Sequence, residues 1–403
     1  MPQLDEAERI RRPDTPEPTS DPIPCENREG PVEIEVVARW QGFLEMEQEW
    51  NRLWEQSPQR DNVFLSHEWF RAWWEAFGEN REMLILRLVA DGRLVGIAPL
   101  MRHAIRYHGL PIRLLSLITN DHTNRAEFIL AERSQECVTR VLDFVSREAA
   151  EWDMAELDFV PADSPTAEAL GRQAGQFGLV YGFKPSYDSL FIPLSGDWEG
   201  FYGKLDGRFR RNMKNREKRL ASLGEIRYEE CFEAKDGFLE EMFAVGEKSW
   251  KGTETKTAIA STSALRRFYA RLAELTGPKG RLSLHLLRVG GKPIAFHYSL
   301  RNDGAIYLLK TEYDLAYQAY SPGHQIQKHV LESCHARGLR EFDFLGPDME
   351  WKREWAACAR PHVRLLLFRR GVRSRVAAFV ELQAKPVLKR SRLIRRLLCE
   401  PAA

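Results

Sequence analysis

The sequence predicts an α+β protein of two similar halves, each a mixed, mainly antiparallel sheet flanked by helices. Three observations predict it. A hairpin pattern occurs twice, at 83–101 and 282–300, each with a two-residue turn. Each hairpin is followed by a helical stretch and then a similar strand, Glu156-Leu157-Asp158-Phe159 and Glu341-Phe342-Asp343-Phe344. At 403 residues the chain also exceeds one ordinary domain. One domain used twice explains the shared order better than chance similarity does.

Taken in order, residues 1–30 carry recurring prolines from Pro2 to Pro24 and the acids Glu6, Asp14, Glu17 and Asp21. Such a stretch cannot bury enough to fold and is expected to be disordered. Val32–Ala38 alternates as a strand, and a helix marked by Phe43, Trp50 and Trp54 follows. Ser66 caps a segment in which Trp69, Phe70, Trp73, Trp74 and Phe77 recur at helical spacing, with Gly78 as the stop. The spacing favours a buried helix face over a ligand box.

The first hairpin turns at Asp91-Gly92 and the second at Gly290-Gly291. Gly92-Arg93-Leu94-Val95-Gly96-Ile97 lines up with Gly291-Lys292-Pro293-Ile294-Ala295-Phe296. The halves are expected to meet at a short strand, Ser189–Leu194, giving domains at 31–194 and 195–371 and a basic tail at 372–403. Trp198 to Leu223 reads as one long helix. Its Lys204, Arg208, Arg210, Arg211, Lys214, Arg216, Lys218 and Arg219 face only Asp206 and Glu217. A solvated face and a phosphate-bearing partner both explain that excess.

Net charge is +1, so no global field points to nucleic acid. The six cysteines show no metal-ligand spacing and read as reduced thiols, so no metal is expected. No apolar run is long enough to span a bilayer, and no signal pattern opens the chain. A cytoplasmic protein is expected. After Pro386, Lys389, Arg390, Arg392, Arg395 and Arg396 alternate with Leu388, Leu393, Ile394, Leu397 and Leu398. That end either docks on the protein's own core or rests on the anionic inner face of a membrane.

The second half holds the segment with chemistry. The strand Ala305–Glu312 leads through Tyr313, Tyr317 and Tyr320 into Ser321-Pro322-Gly323-His324, where a helix begins that ends at Gly338. Ser321 is a good N-cap, Pro322 suits the first turn, and Gly323 removes a side chain. A helix N-terminus bared in this way favours an anion such as a pyrophosphate.

This half resembles the GNAT-like acyltransferase family associated with bacterial cellulose and exopolysaccharide loci, and more distantly the Fem-type peptidyltransferases. The resemblance rests on Lys292-Pro293-Ile294-Ala295, Tyr313-Asp314, Tyr320-Ser321-Pro322-Gly323, Gly338-Leu339, Phe342-Asp343-Phe344-Leu345-Gly346, Trp351-Lys352 and Trp355. The first half is similar through Phe64-Leu65-Ser66, Trp69 and Ile97-Ala98-Pro99-Leu100. It implies tandem GNAT-like domains that use acyl-CoA as co-substrate. It also implies a pantetheine arm along Leu309, Lys310 and Thr311, and the pyrophosphate at Ser321, Pro322, Gly323 and His324. The first copy reads Ala131-Glu132-Arg133-Ser134 at the matching place, where an acid and no glycine disfavour a phosphate.

Direct transfer needs a base, an oxyanion stabiliser and a proton for the leaving thiolate. Glu312 ends the strand expected to flank the thioester. His297 lies mid-strand, a base candidate, although a lone histidine there is slightly more often a core residue. Asp343 sits in an apolar strand, where a carboxylate needs a partner; it is a catalytic candidate or, as its twin Asp158 in the first half warns, a member of a structural network. Lys352 is implied by the resemblance as a charge stabiliser. For the acceptor, the candidates are His122, Asn124, Arg125 and Glu127 in a polar loop of the first half, with Tyr313 and Trp351. The acceptor is an amine or hydroxyl of a small molecule, a saccharide precursor or a lipid amine. An aminoacyl-tRNA-dependent transferase and a binding module without catalysis are the alternatives.

Overall fold

A computed structural model describes residues 30–148 and 151–385. The expectations for the proline-rich start and for the chain from Pro386 onward lie outside the described residues. No helix among the described residues is long and apolar enough to cross a membrane.

The strands of the first part are β1 Glu33–Val37, β2 Glu82–Ala90, β3 Arg93–Tyr107, β4 Leu110–Leu117, β5 Ile129–Leu130, β6 Met154–Pro161 and β7 Val180–Pro193. Those of the second are β8 Ile226–Cys231, β9 Leu282–Val289, β10 Lys292–Asn302, β11 Ala305–Tyr313, β12 Glu341–Asp343 and β13 Cys358–Phe368. They form one sheet in the order β1-β2-β3-β4-β6-β13-β7-β12-β11-β10-β9-β8, with β5 on β3. The sheet therefore reads alike from both edges toward the middle, and the two halves repeat one architecture, as the sequence predicts.

The hairpins show how closely the halves correspond. Both turns use left-handed backbone, at Asp91 and Gly92 and at Gly290 and Gly291. In each hairpin the register slips by one, leaving Val95 unpaired between Leu94 and Gly96 and Ile294 unpaired between Pro293 and Ala295. The carbonyls of these two residues accept from Ala131 N at 3.1 Å and from Asp314 N at 2.9 Å. A bulge repeated at the aligned position, with the same outgoing bond, is a feature of one architecture used twice.

The copies diverge at the next strand. In the second copy β11 is one continuous strand against β10 from Ala305 to Tyr313, with a single bulge at Leu309. In the first, β4 stops at Leu117 and the pairing with β3 resumes only at β5. Residues 118–128 stand where the second copy has Leu309, Lys310 and Thr311. This interruption is the polar loop that carries His122, Asn124, Arg125 and Glu127.

At the centre the halves exchange strands. β7, which follows β6 in the chain, pairs with β12; β13, which follows β12, pairs with β6. β7 and β13 then pair with each other from Val180–Phe368 to Phe191–Cys358. The strand expected at Ser189–Leu194 is thus the end of a longer one.

Helices cover both faces. On one, the helices His67–Phe77 and Ser263–Thr276 share an aromatic core, with Trp69 edge-on to Phe268 at 5.2 Å. The tryptophan-rich stripe is core, as its spacing suggested, and Ser66 caps it by accepting from Trp69 N at 3.3 Å. On the other face, the helix Ser134–Arg147 packs on the first half, and Gly207–Ala221 and Pro322–Ala336 on the second. The single helix read from Trp198 to Leu223 is two, Trp198–Lys204 and Gly207–Ala221. Leu205 is extended, and Asp206 starts a new helix by accepting from Phe209 N at 2.8 Å.

Candidate active site

β11 and β12 run parallel for only three pairs, from Ala305–Glu341 to Tyr307–Asp343. Beyond them β11 continues to Tyr313, while the other chain turns away through left-handed Leu345 and Gly346. The parting of the strands opens a cavity of about 720 Å³. Leu308–Thr311 and Tyr313 form one wall and Phe344–Pro347 the other. Ser321, Gly323 and His324 line it at the start of the helix Pro322–Ala336. Asp121, His122 and Asn124 reach it from the interrupted strand of the first half, so both halves build the site.

Its electrostatics are one-sided. Arg216, Lys251, Lys310 and Lys352 line the cavity, against one carboxylate, Asp121. Burial, with Lys251 close by, lowers the Lys310 ammonium to about 8 despite the pull of Glu312. Burial likewise lowers Lys352 to about 8. Lys352 is fixed by donating to the carbonyls of Leu345 and of Pro347, the latter at 2.7 Å. Burial and Lys310 drive His122 down to about 3, so its imidazole is neutral at physiological pH. Such a cavity is suited to an anion with an uncharged group beside it.

The turn into the phosphate-ready helix differs in detail from its sequence reading. Ser321 sits at the N-cap in left-handed backbone, and its side chain does not cap the helix. Its hydroxyl accepts instead from Arg216 at 2.8 Å, which brings the basic helix to the cavity. His324 accepts from Trp355 Nε1 at 3.0 Å through Nδ1, and its Nε2 lies 3.1 Å from Glu354. The proton of the neutral ring is therefore on Nε2. In the first copy the corresponding helix start holds an acid: Glu136 accepts from Val32 N at 2.9 Å and pairs with Arg133. That carboxylate opposes an anion there, whereas Glu132, the acid singled out in the sequence, is exposed and faces Arg93 at 3.8 Å.

The structure gathers most of the candidates. Leu309, Lys310, Thr311, Ser321, Gly323, His324, His122, Asn124, Tyr313, Trp351 and Lys352 all line the cavity. Pro322 is buried in the first turn of its helix, behind the wall. The other candidates lie elsewhere. Glu312 is 3% exposed and sits behind Lys251 and Lys310, accepting from Ile259 N at 3.1 Å. Burial raises its carboxyl to about 7 against the pull of those two lysines. His297 is wholly buried beside His285, and burial holds it well below the usual histidine range. Glu127 is buried against Asn62 at 3.2 Å and Gln59 at 3.4 Å, and burial raises it to about 7.

Asp343 and Arg125 belong to a buried ion-pair network. Asp343 accepts from Arg125, from Arg360 at 2.9 Å, from Ser189 at 3.0 Å and from Leu345 N at 2.7 Å. Its acceptor capacity is taken by the first half, β7 and β13, which leaves no lone pair directed at the cavity. Asp158 repeats the motif with Ser186 of β7 at 2.7 Å and Arg364 of β13.

Sequence reasoning missed Trp250, Lys251 and Tyr269 as site residues, and saw Arg216 only as one cation among eight. Lys251 lies in a short wide-turn helix, Lys251–Thr255, and donates to Thr311 O at 3.1 Å. Nothing in its local sequence marks it. Arg216 had a signal in the one-sided charge of its helix.

Residues 207–353 match a family model described as an acetyltransferase (GNAT) domain. That segment is a GNAT-type acyltransferase domain. The matched segment holds the whole cavity apart from the loop of the first half. No curated protein matches the sequence. Among solved structures, that of FemX superposes with a TM-score of 0.56 at 13% identity, covering 82% of this chain and 96% of that one. A conserved protein of unknown function from Bacteroides thetaiotaomicron gives 0.53 at 10% identity, covering 84% and 100%. The C-terminal domain (DUF2156) of a protein described as a lysylphosphatidylglycerol synthetase, from Agrobacterium fabrum, gives 0.51 at 12%, covering 86% and 97%. These likenesses extend over both halves of the chain and concern its fold.

Proposed function

We propose that the protein transfers an acyl group directly from acyl-CoA to an amine or hydroxyl acceptor. The observation that carries this reading is the cationic cavity between the parted strands, ending at Ser321–His324. The thioester arm lies along Leu309–Thr311, and the pyrophosphate meets the helix start with Arg216 beside it. The acceptor enters from the side of Asp121, His122 and Asn124. As its nitrogen or oxygen bonds to the thioester carbon, negative charge develops on the carbonyl oxygen, and Lys352 faces it. The tetrahedral centre then collapses with departure of the thiolate, which takes up the proton that the acceptor nitrogen or oxygen gives up. Acceptors that fit include a small amine, a saccharide precursor and a lipid amine, the last placing the enzyme at the inner face of a membrane.

Calorimetric and thermal-shift titration with acetyl-CoA and palmitoyl-CoA tests the donor. Both the wild type and Gly323→Asp are expected to fold, because a Cβ there meets Tyr313 at an ordinary 3.4 Å. The added carboxylate is expected to abolish the stabilisation by acyl-CoA. Failure of any acyl-CoA to stabilise the wild type overturns the reading. Wild-type affinity is expected to fall as pH rises through about 8, where Lys310 loses charge beside the thioester arm. Lys352→Met is expected to slow transfer about 10²–10³-fold at saturating donor with little change in donor affinity. Single-turnover kinetics separate the two quantities.

A second reading is an aminoacyl-tRNA donor. It is favoured by Arg216, which lines both the cavity and an outer groove formed with Asn212, Asn215, Lys218 and Arg219. It requires affinity for charged tRNA that declines steeply with salt.

A further inference from the structure

The helix Val372–Phe379 follows β13 and lies over the sheet. Its inner face is buried: Ala377 and Ala378 pack with Ile112, Leu114, Leu366 and Phe368, and Ser374 donates to Asp153 O at 2.5 Å. The helix itself docks on the core through this face. Its outer face is nevertheless apolar. Val372 is 81% exposed, Val376 42% and Phe379 58%. At about 100° per residue these positions fall in one narrow stripe opposite the buried face. Arg373 lies to one side of the stripe and Arg375 to the other; both are exposed, as is Arg370. None of the three makes an ion pair among the described residues.

We propose that this face seats the protein on an anionic lipid bilayer, with Val372, Val376 and Phe379 entering the interface and the arginines meeting the headgroups. A polar surface helix needs no outward phenylalanine, and a helix buried in a larger core has no use for arginines on both sides of its apolar stripe. Charge decides the occupant. From Arg369 to Cys399 the sequence holds ten Lys and Arg residues and one acid, Glu381. Glu381 is buried and pairs with Lys184 and Lys385, so it offers nothing to the outer surface. A second copy packed through this face would set arginines against arginines. A nucleic acid would find the centre of the patch without charge or hydrogen-bond donors. An anionic leaflet satisfies both components. This inference does not depend on the acyl donor, although it fits the lipid amine among the acceptors.

The test is cosedimentation of the full chain with phosphatidylcholine vesicles, with and without phosphatidylglycerol, at low and high salt. Binding is expected only to the anionic vesicles and is expected to weaken with salt. Phe379→Asp is expected to lower the affinity about tenfold or more. The double variant Arg373→Glu/Arg375→Glu is expected to remove the dependence on phosphatidylglycerol. All three positions are exposed, so unchanged melting temperatures will show that the variants fold. Absence of vesicle binding by the wild type overturns the proposal, as does binding undiminished in Phe379→Asp. So does a wild-type dimer, seen in sedimentation velocity, that Phe379→Asp dissociates.

Discussion

Asp343→Ala is expected to destabilise the protein by about 3–5 kcal/mol, the cost of breaking a buried ion pair by removing one partner. The side chain of Asp343 is fully buried and that of Arg125 is 4% exposed. Without the carboxylate, the Arg125 guanidinium stays buried with its acid gone, because it cannot reach water without displacing the interrupted strand of the first half. Arg360 suffers less, since Glu341 remains at 3.1 Å. Ser189 and the amide of Leu345 each lose an acceptor. Urea unfolding followed by tryptophan fluorescence measures the loss. Asp158→Ala is the internal comparison. Its arginine, Arg364, is 41% exposed and can turn to solvent, so a smaller cost is expected. Equal costs for the two substitutions would show that the burial of the arginine left behind has no special weight. A loss of transfer in Asp343→Ala with unchanged stability would instead return Asp343 to the catalytic group.

Neither half is expected to fold when produced alone. Residues 1–194 lack β13, which covers β6, and residues 195–403 lack β7, which pairs with β12. In β13 alone, Leu365, Leu366, Leu367 and Phe368 are each 2% exposed or less. At about 1.5–3 kcal/mol for each buried side chain, their loss is comparable with the whole stability of an ordinary domain. It also leaves open strand edges at the sheet centre, which invite aggregation. Co-expression of the two pieces is expected to restore a soluble complex, because every strand then finds its partner. Circular dichroism and cooperative thermal unfolding distinguish the outcomes. A cooperatively folded isolated half would show that the exchanged strands are dispensable.

The parts of the fold legible in sequence are those governed by neighbours in the chain. Asp91-Gly92 and Gly290-Gly291 accept left-handed backbone at little cost, so both hairpins could be placed from the turns. Ser66 capped its helix because Ser can bond its own third-following amide. Asp206 caps in the same way, and that signal lay in the sequence inside a run read as one helix. Ser321 shows the limit. It has the right residue type for a cap, but Arg216, distant in sequence, draws its hydroxyl away. For the site, the strand Leu309–Thr311 and the Ser-Pro-Gly turn were legible from order and local chemistry. Lys251 and Tyr269 were not, since each reaches the cavity through packing between distant elements.

The sequence by itself determined two α+β halves, their hairpins, and a helix start suited to an anion. These follow from turn chemistry, capping and the period of apolar residues, which act over a few positions. Only the tertiary structure decided that β7 and β13 change places, that Asp343 is occupied by Arg125 and Arg360, and that a broken strand of the first half lines the cavity of the second. Strand pairing is chosen by burial and register across the whole sheet, and the fate of a buried charge by whichever partner the fold delivers. Neither choice is written in the residues beside it.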